Sequence, residues 1–302
     1  GIGDDAAVVQ EATGQILLTV DGIRSITDDA YLFGRITAHH ALNDVFAMGG
    51  QGTAALALAT VPLMAETMME EELFALLKGA VDVLNAHDVP LAGGHSAEGA
   101  ELSLAISLMG TLDGAPLGKA GVQPGDVLVL TKPVGTGVLL AGDMRGETPS
   151  DELQLAFKAM DQSNADALVV FKRHGLRALT DVTGFGLLGH LGEMLRASGC
   201  GVRLRMNDVP VLPGARRLME EGVFSSLQSN NELALADYEL RGSALTDPQV
   251  RLLVDPQTSG GLLAALPAGS ADACVSELQQ SGYAAAAVIG EAVDGDWQIV
   301  GD

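Results

Sequence analysis

His39-His40-Ala41-Leu42-Asn43-Asp44-Val45-Phe46-Ala47-Met48-Gly49-Gly50 is the stretch on which the reading of this chain turns. Leu42, Val45, Phe46 and Met48 recur at the spacing of one helical face, and the Gly-Gly pair is a helix stop. One acid, Asp44, stands inside that apolar run, where an unpaired carboxylate is costly to bury. A buried acid needs a partner, and a metal ion is a natural one. Three further acids stand in comparable places: Asp5 after Gly1-Ile2-Gly3-Asp4, Asp21 after a hydrophobic strand, and Asp181 before Val182-Thr183-Gly184. Hard cations take oxygen ligands, and a few carboxylates plus substrate phosphates suffice for Mg²⁺. The pattern therefore predicts that these acids converge on Mg²⁺ and phosphate. Each acid taken singly reads more readily as a capping or turn residue.

Outward from this stretch, Thr27-Asp28-Asp29 offers caps for a helix over 28–48. Upstream, strands over 6–9 and 16–20 flank a turn at Thr13-Gly14, the second delivering Asp21 to its carboxyl end. Downstream, the nearly continuous apolar run 54–61 predicts a strand buried on both faces. A helix over 66–86 carries Leu73, Leu76, Leu77, Ala80 and Leu84 as one stripe. Gly93-Gly94-His95-Ser96 reads as a strand-to-loop turn, able to present N–H groups and a hydroxyl to phosphate, and a strand follows over 102–108. His95 alone, like His39, His40 and His190, reads first as a hydrogen-bonded structural histidine.

Turn formers from Asp113 to Gly125 place a domain boundary at about residue 115, giving domains 1–115 and 116–302. In the second, strands are expected over 127–131, 202–206, 262–266 and 285–289, with helices over 152–173, 187–197, 215–221 and 270–281. Gly135-Thr136-Gly137 and Gly184-Phe185-Gly186 open helices; either is a packing turn or an anion site at a helix N-terminus. The interleaving of strands and helices points to α/β plus α+β architecture.

Composition narrows the class. A chain of 302 residues, 47% hydrophobic with 38 glycines, fits a two-domain enzyme. A net charge of −22 argues against a nucleic-acid partner, though not against ATP, whose charge Mg²⁺ and backbone N–H groups carry. Cys200 and Cys274 are too few for a disulfide framework and have no zinc spacing; they read as buried or half-exposed thiols of a cytoplasmic protein. No run approaches the ~18 apolar residues of a membrane span. The opening Gly-Ile-Gly-Asp-Asp is no signal peptide; it starts inside a motif, which suggests residues upstream.

Six motifs then carry a family resemblance. Gly3-Asp4-Asp5-Ala6-Ala7-Val8, Asn43-Asp44-Val45-Phe46-Ala47-Met48-Gly49-Gly50, Leu91-Ala92-Gly93-Gly94-His95-Ser96 and Leu130-Thr131-Lys132-Pro133 are followed by two longer ones. These are Thr180-Asp181-Val182-Thr183-Gly184-Phe185-Gly186-Leu187-Leu188-Gly189-His190 and Asp255-Pro256-Gln257-Thr258-Ser259-Gly260-Gly261. In this order, from residue 1 to about 292, the chain resembles the selenophosphate synthetases (selenide, water dikinases) of the aminoimidazole ribonucleotide synthetase-like ATP-binding superfamily.

The resemblance implies an amino-terminal α/β domain that dimerises through its sheet, a carboxy-terminal α+β domain beside it, and ATP between them. It implies conversion of ATP, selenide and water to selenophosphate, AMP and orthophosphate. By motif position the metal ligands are Asp5, Asp44 and Asp181. The ATP-contacting positions are Ile2, Gly3, Asp4, Asp21, Asp44, Gly94, His95 and Ser96. The family's catalytic Cys (or selenocysteine) and essential Lys stand upstream of the Gly-x-x-Asp-Asp motif, so both are expected before residue 1. Cys200 and Cys274 lie in the wrong context to replace that thiol. His39-His40 also departs from the pattern, since many relatives have at least one Asn there. The reading is such a synthetase or the synthetase module of a larger protein; its rivals are a superfamily kinase or ligase releasing ADP and a nucleotide-binding module inactive without the upstream loop. The polar stretch 225–231 has no role assignable from sequence.

Overall fold

The computed structural model describes residues 3–11 and 14–301. Two compact units divide the chain: Gly1–Pro116 with Asp161–Ser163, and Leu117–Met160 with Asn164–Asp302.

The first unit runs β1 (Ala7–Glu11), β2 (Gly14–Arg24), α1 (Ala30–Ala47), β3 (Gln51–Pro62), α2 (Glu66–Ala86), β4 (Leu91–Gly99) and β5 (Ser103–Thr111). Its sheet has the order β1-β2-β5-β3-β4, antiparallel except where β3 meets β4. α1 starts where Asp29, extended at φ −85° and ψ 96°, accepts the Leu32 N–H at 3.0 Å. It ends at Gly49, whose φ of +78° only glycine adopts freely. α1 and α2 pack at a glycine crossing. A Cβ on Gly34 would lie 1.9 Å from the Leu76 carbonyl, and one on Gly79 2.0 Å from the Tyr31 carbonyl.

Strand periodicity sorts this sheet into two faces. Leu17, Ala55, Ala57, Ala59, Leu104, Ile106 and Leu108 are buried on the helix side. The alternate residues are also apolar but open: Val20 is 68%, Leu56 53% and Leu58 50% exposed. The expectation that β3 is buried on both faces therefore fails for this chain. β2 also continues to Arg24, so Asp21 lies within the strand and not at its carboxyl end. Backbone pairing with β5 through Arg24↔Ser103 carries the strand past the polar residues that seemed to end it.

The second unit runs β6 (Asp126–Leu130), α3 (Thr136–Asp143), α4 (Ser150–Met160), α5 (Ala165–Arg173), β7 (Ala178–Asp181), α6 (Gly186–Ser198) and β8 (Gly201–Arg205). It continues with α7 (Ala215–Glu220), α8 (Gln228–Asn231), β9 (Glu239–Arg241), β10 (Leu262–Pro267), α9 (Ala271–Gln280), β11 (Ala287–Val293) and β12 (Trp297–Val300). Its sheet has the order β7-β10-β6-β11-β8-β12-β9. Leu187, Leu188, Leu191, Met194 and Leu195 of α6 pack on Leu128, Leu130, Leu204 and Ile289. The single helix expected over 152–173 is two. Asp161, Ser163 and Asn164 break it, short polar residues that compete with the helical backbone, and the Asn164 side chain donates to the Gly260 carbonyl at 2.8 Å. Cys200 and Cys274 are buried free thiols, and burial pushes Cys274 up to about 12.

Candidate functional site

In the first unit, two periodicities meet face to face. His40 and Asp44 are four apart on α1 and share one side of it; Thr19 and Asp21 are two apart on β2 and share its helix-facing side. The Thr19 hydroxyl donates to Asp44 Oδ2. His40 Nε2 lies 3.7 Å from Asp21 Oδ2, an ion pair when the ring is protonated. Asp44 is 9% exposed and Asp21 half-buried. The sequence singled out both acids but not their partners. Thr19 and His40 were legible, because each sits one structural period before an acid already chosen.

His39 turns elsewhere. Its Nε2 is 3.6 Å from Asp161, and its ring meets His87 edge-on, which makes it a packing residue of α1.

Gly93-Gly94-His95-Ser96 is not a turn after a strand but the middle of β4, an outer strand of the sheet. Gly94 pairs with Ala57, and a Cβ there would lie 2.0 Å from the Ala57 carbonyl, so close strand approach accounts for the glycine. Gly94 and His95 line a groove of about 450 Å³ with Val20, Leu56, Leu58 and Ser107. That groove is on the open face of the sheet, opposite the face carrying Asp21 and Asp44. Asp4 is exposed and Asp5 half-buried just before β1, after Gly3 at φ +99°. Ile2 lies outside the described residues.

In the second unit, Asp181 is the last residue of β7 and is 2% exposed. Its strand end is held by the heptapeptide Asp255–Gly261. Leu262 pairs with Asp181, the Val182 N–H donates to the Gly261 carbonyl at 2.9 Å, and the Gln257 N–H donates to the Thr183 carbonyl at 3.0 Å. His190 Nε2 lies 3.1 Å from the Thr183 hydroxyl, a structural bond. Glu193 ties that region to Lys119 at 2.9 Å; although burial opposes it, hydrogen bonds from His190 and Lys119 hold the carboxyl down at about 2.

The same heptapeptide fills the N-terminus of α3. Gln257 Oε1 accepts from the Gly135 N–H, the Thr136 N–H and the Thr136 hydroxyl at 3.0–3.1 Å, and Asp255 Oδ2 accepts from the Gly137 N–H at 3.0 Å. Gly135-Thr136-Gly137 is therefore a packing turn that holds its own internal carboxylate, and its anion-site reading is withdrawn. Complete burial pushes the Asp255 carboxyl up to about 7, against the Val138 and Gly137 N–H groups and the Gln257 amide, which favour the anion.

Among the described residues, no three His, Cys, Asp or Glu side chains gather into a metal cage of their own. Mg²⁺ bound with a nucleotide needs only one or two protein carboxylates, the phosphates and waters completing its shell. The buried carboxylate of Asp44 beside a hydroxyl, and that of Asp181 at a strand end, are hard oxygen donors of this kind, so the residues present fit the ion.

Comparison with known proteins follows the same division of the chain. Residues 3–112 match the family described as AIR synthase related protein, N-terminal domain, and residues 123–301 its C-terminal domain. The selenide, water dikinase of Pelobacter propionicus (strain DSM 2379 / NBRC 103807 / OttBd1) is 38% identical over 294 residues, covering 97% of this chain and 82% of the relative. That of Paraburkholderia xenovorans (strain LB400) is 37% identical over 298 residues, covering 98% and 84%. Among solved structures, a HypE–HypF complex superposes with a TM-score of 0.73 at 16% identity, covering 99% of this chain and 90% of that one. A thiamine-monophosphate kinase from Stenotrophomonas maltophilia K279a gives 0.71 at 22% identity, covering 99% and 90%. At these identities the solved structures establish the fold. The sequence relatives establish more: the chain belongs to the selenide, water dikinase family and is built from the paired AIR synthase related domains.

Proposed function

We propose that the protein makes selenophosphate from selenide, ATP and water, as a selenide, water dikinase. The observation that carries this is identity of 37–38% spread over 97–98% of the chain to relatives bearing that name. ATP and selenide are the substrates, and AMP and orthophosphate the other products. Mg²⁺ is the metal, with Asp5, Asp44 and Asp181 its protein ligands by motif position. When bound, it neutralises the triphosphate charge that a chain of net charge −22 would otherwise repel.

The chain's own residues orient and restrain. Thr19 fixes one oxygen of Asp44, and His40 holds a protonatable nitrogen beside Asp21. Gly3, Asp4, Asp21, Gly94, His95 and Ser96, with Ile2, are assigned to nucleotide contact by motif position alone, the groove of Gly94 and His95 lying on the sheet face opposite Asp21. Domain 1–115 binds ATP and dimerises, and 116–302 is the α+β partner. The open apolar face around Val20, Leu56 and Leu58 supports a homodimer through the sheet, because so wide an exposed apolar patch marks an interface. A cytoplasmic location is part of this reading; no described helix is long and apolar enough to cross a membrane.

The test is ³¹P NMR of the full-length protein with ATP, Mg²⁺ and selenide under anaerobic, reducing conditions. We expect a selenophosphate resonance together with AMP and orthophosphate. ADP as the sole nucleotide product would overturn the dikinase reading in favour of a superfamily kinase or ligase.

A further inference from the structure

Ser259 has a backbone that its residue type resists. It is 1% exposed with φ at +46°, a left-handed conformation a side-chain-bearing residue keeps only where its surroundings over-determine it. Those surroundings are specific. Lys132 Nζ donates to the Ser259 carbonyl at 3.1 Å, and the Ser259 hydroxyl donates to the Met160 carbonyl at 2.7 Å. The next carbonyl, of Gly260, accepts from Asn164 at 2.8 Å. The segment is also pressed onto the residues after β7: a Cβ on Gly260 would lie 2.1 Å from the Val182 carbonyl.

Lys132 itself is 2% exposed. Its place in the sheet is informative. Thr131 N–H donates to the Leu262 carbonyl, and Leu262 is paired on its other side with Asp181. Lys132 thus follows a residue two strands from Asp181, about 10 Å at ordinary strand spacing.

We propose that Lys132 and the strained Ser259 turn are positioning residues for Asp181. They hold the end of β7 so that its carboxylate is presented to the metal. This rests on the metal-binding reading of Asp181 given above. Side chains that act behind a metal ligand typically change metal affinity about 10- to 100-fold when removed.

The experiment measures Mn²⁺ binding by electron paramagnetic resonance, on the full-length protein with a non-hydrolysable ATP analogue, so that no turnover is needed. Melting temperature is recorded alongside. Lys132→Met is expected to weaken Mn²⁺ binding about tenfold. Ser259→Gly keeps the left-handed backbone but loses the hydroxyl link to Met160; it is expected to melt no lower than wild type and still bind Mn²⁺ several-fold more weakly. Asp181→Asn is the control for the underlying reading. If Asp181→Asn weakens binding while Lys132→Met and Ser259→Gly bind as wild type, the positioning role is overturned. If Asp181→Asn also binds as wild type, the metal reading of Asp181 is what has failed. Should Lys132→Met not fold, Ser259→Gly decides the matter alone.

Discussion

The two units place their acids by different means. In the first, Asp44 is set by regular geometry: a helix period puts it with His40, a strand period puts Thr19 with Asp21, and the two rows meet. In the second, Asp181 is set by a turn that arrives from more than 70 residues downstream and bonds to the strand end, to α3 and to the ends of α4 and α5. Regular geometry is modular, so a change at one residue stays local. A shared turn is not, because each of its bonds supports several elements at once. Substitutions in the two regions are therefore expected to differ in kind.

The largest expected effect is on catalysis in the first unit. Asp44→Ala in the full-length protein should lower kcat by about 10²–10³, the usual scale for removing one preorganised electrostatic group. Its melting temperature should fall only modestly, by the scale of one lost acceptor for the Thr19 hydroxyl. Steady-state kinetics with thermal unfolding checks both halves. A large loss of stability would mean that Asp44 is a structural acid and that the first unit is no more modular than the second.

This contrast also decides what was legible in the sequence. Asp29 as a cap, the helix carrying Asp44, and the strand and helix order of the first unit apart from β4 follow from local signals, and the structure has them. The open face of β3 was misread because both of its faces are apolar, and alternation is invisible when the outward residues are Leu56 and Leu58. The glycine crossing of α1 and α2 was also missed, since a helical glycine gives no sign of which backbone lies against it. In the second unit the motif Asp255–Gly261 stood out, but its partners Lys132, Thr136, Asn164 and Val182 are defined only by the fold. The break between α4 and α5 was missed for the same reason.

The second effect is on pH dependence. Folding raises the Asp255 carboxyl from its ordinary range to about 7, chiefly by burial. The folded state thus favours the protonated form. This group's contribution to stability is complete below about pH 4 and is lost as pH rises through 7. Asp255→Asn is neutral throughout and keeps an acceptor for the Gly137 N–H. Its melting temperature relative to wild type should therefore be higher at pH 8 than at pH 5. A difference independent of pH would mean that α3 stabilises the anion fully, and that this turn is not strained by its own charge.

Next comes Gln257→Ala, which strips one acceptor from three donors of the Gly135-Thr136 turn. Leaving buried donors unsatisfied costs about 1–3 kcal/mol each at most, and relaxation shares the loss, so a total near 2–3 kcal/mol is expected in chemical denaturation. The same variant should weaken activity, because loosening the Gly135-Thr136 turn also slackens the Gln257 backbone, whose N–H, kept in the variant, holds the Thr183 carbonyl just beyond Asp181. Stability falling with kcat and KM unchanged would separate the α3 cap from the β7 end and undo the shared-turn description.

The smallest effect tests modularity from the other side. Asp29→Ala removes the acceptor for the Leu32 N–H at the start of α1, a loss of about 1 kcal/mol for a typical cap. The loss should not exceed this, because α1 is buried along nearly its whole length and locked against α2 at Gly34 and Gly79. Fifteen residues at 1.5 Å each put Asp44 about 22 Å along the helix from that cap, too far for fraying of one turn to reach it. The variant should accordingly melt slightly lower, with kcat and KM as in wild type. A fall in kcat comparable to that of Asp44→Ala would mean that α1 moves as one rigid rod on the sheet. The register of His40 and Asp44 against Thr19 and Asp21 would then depend on the whole helix and not on its local period.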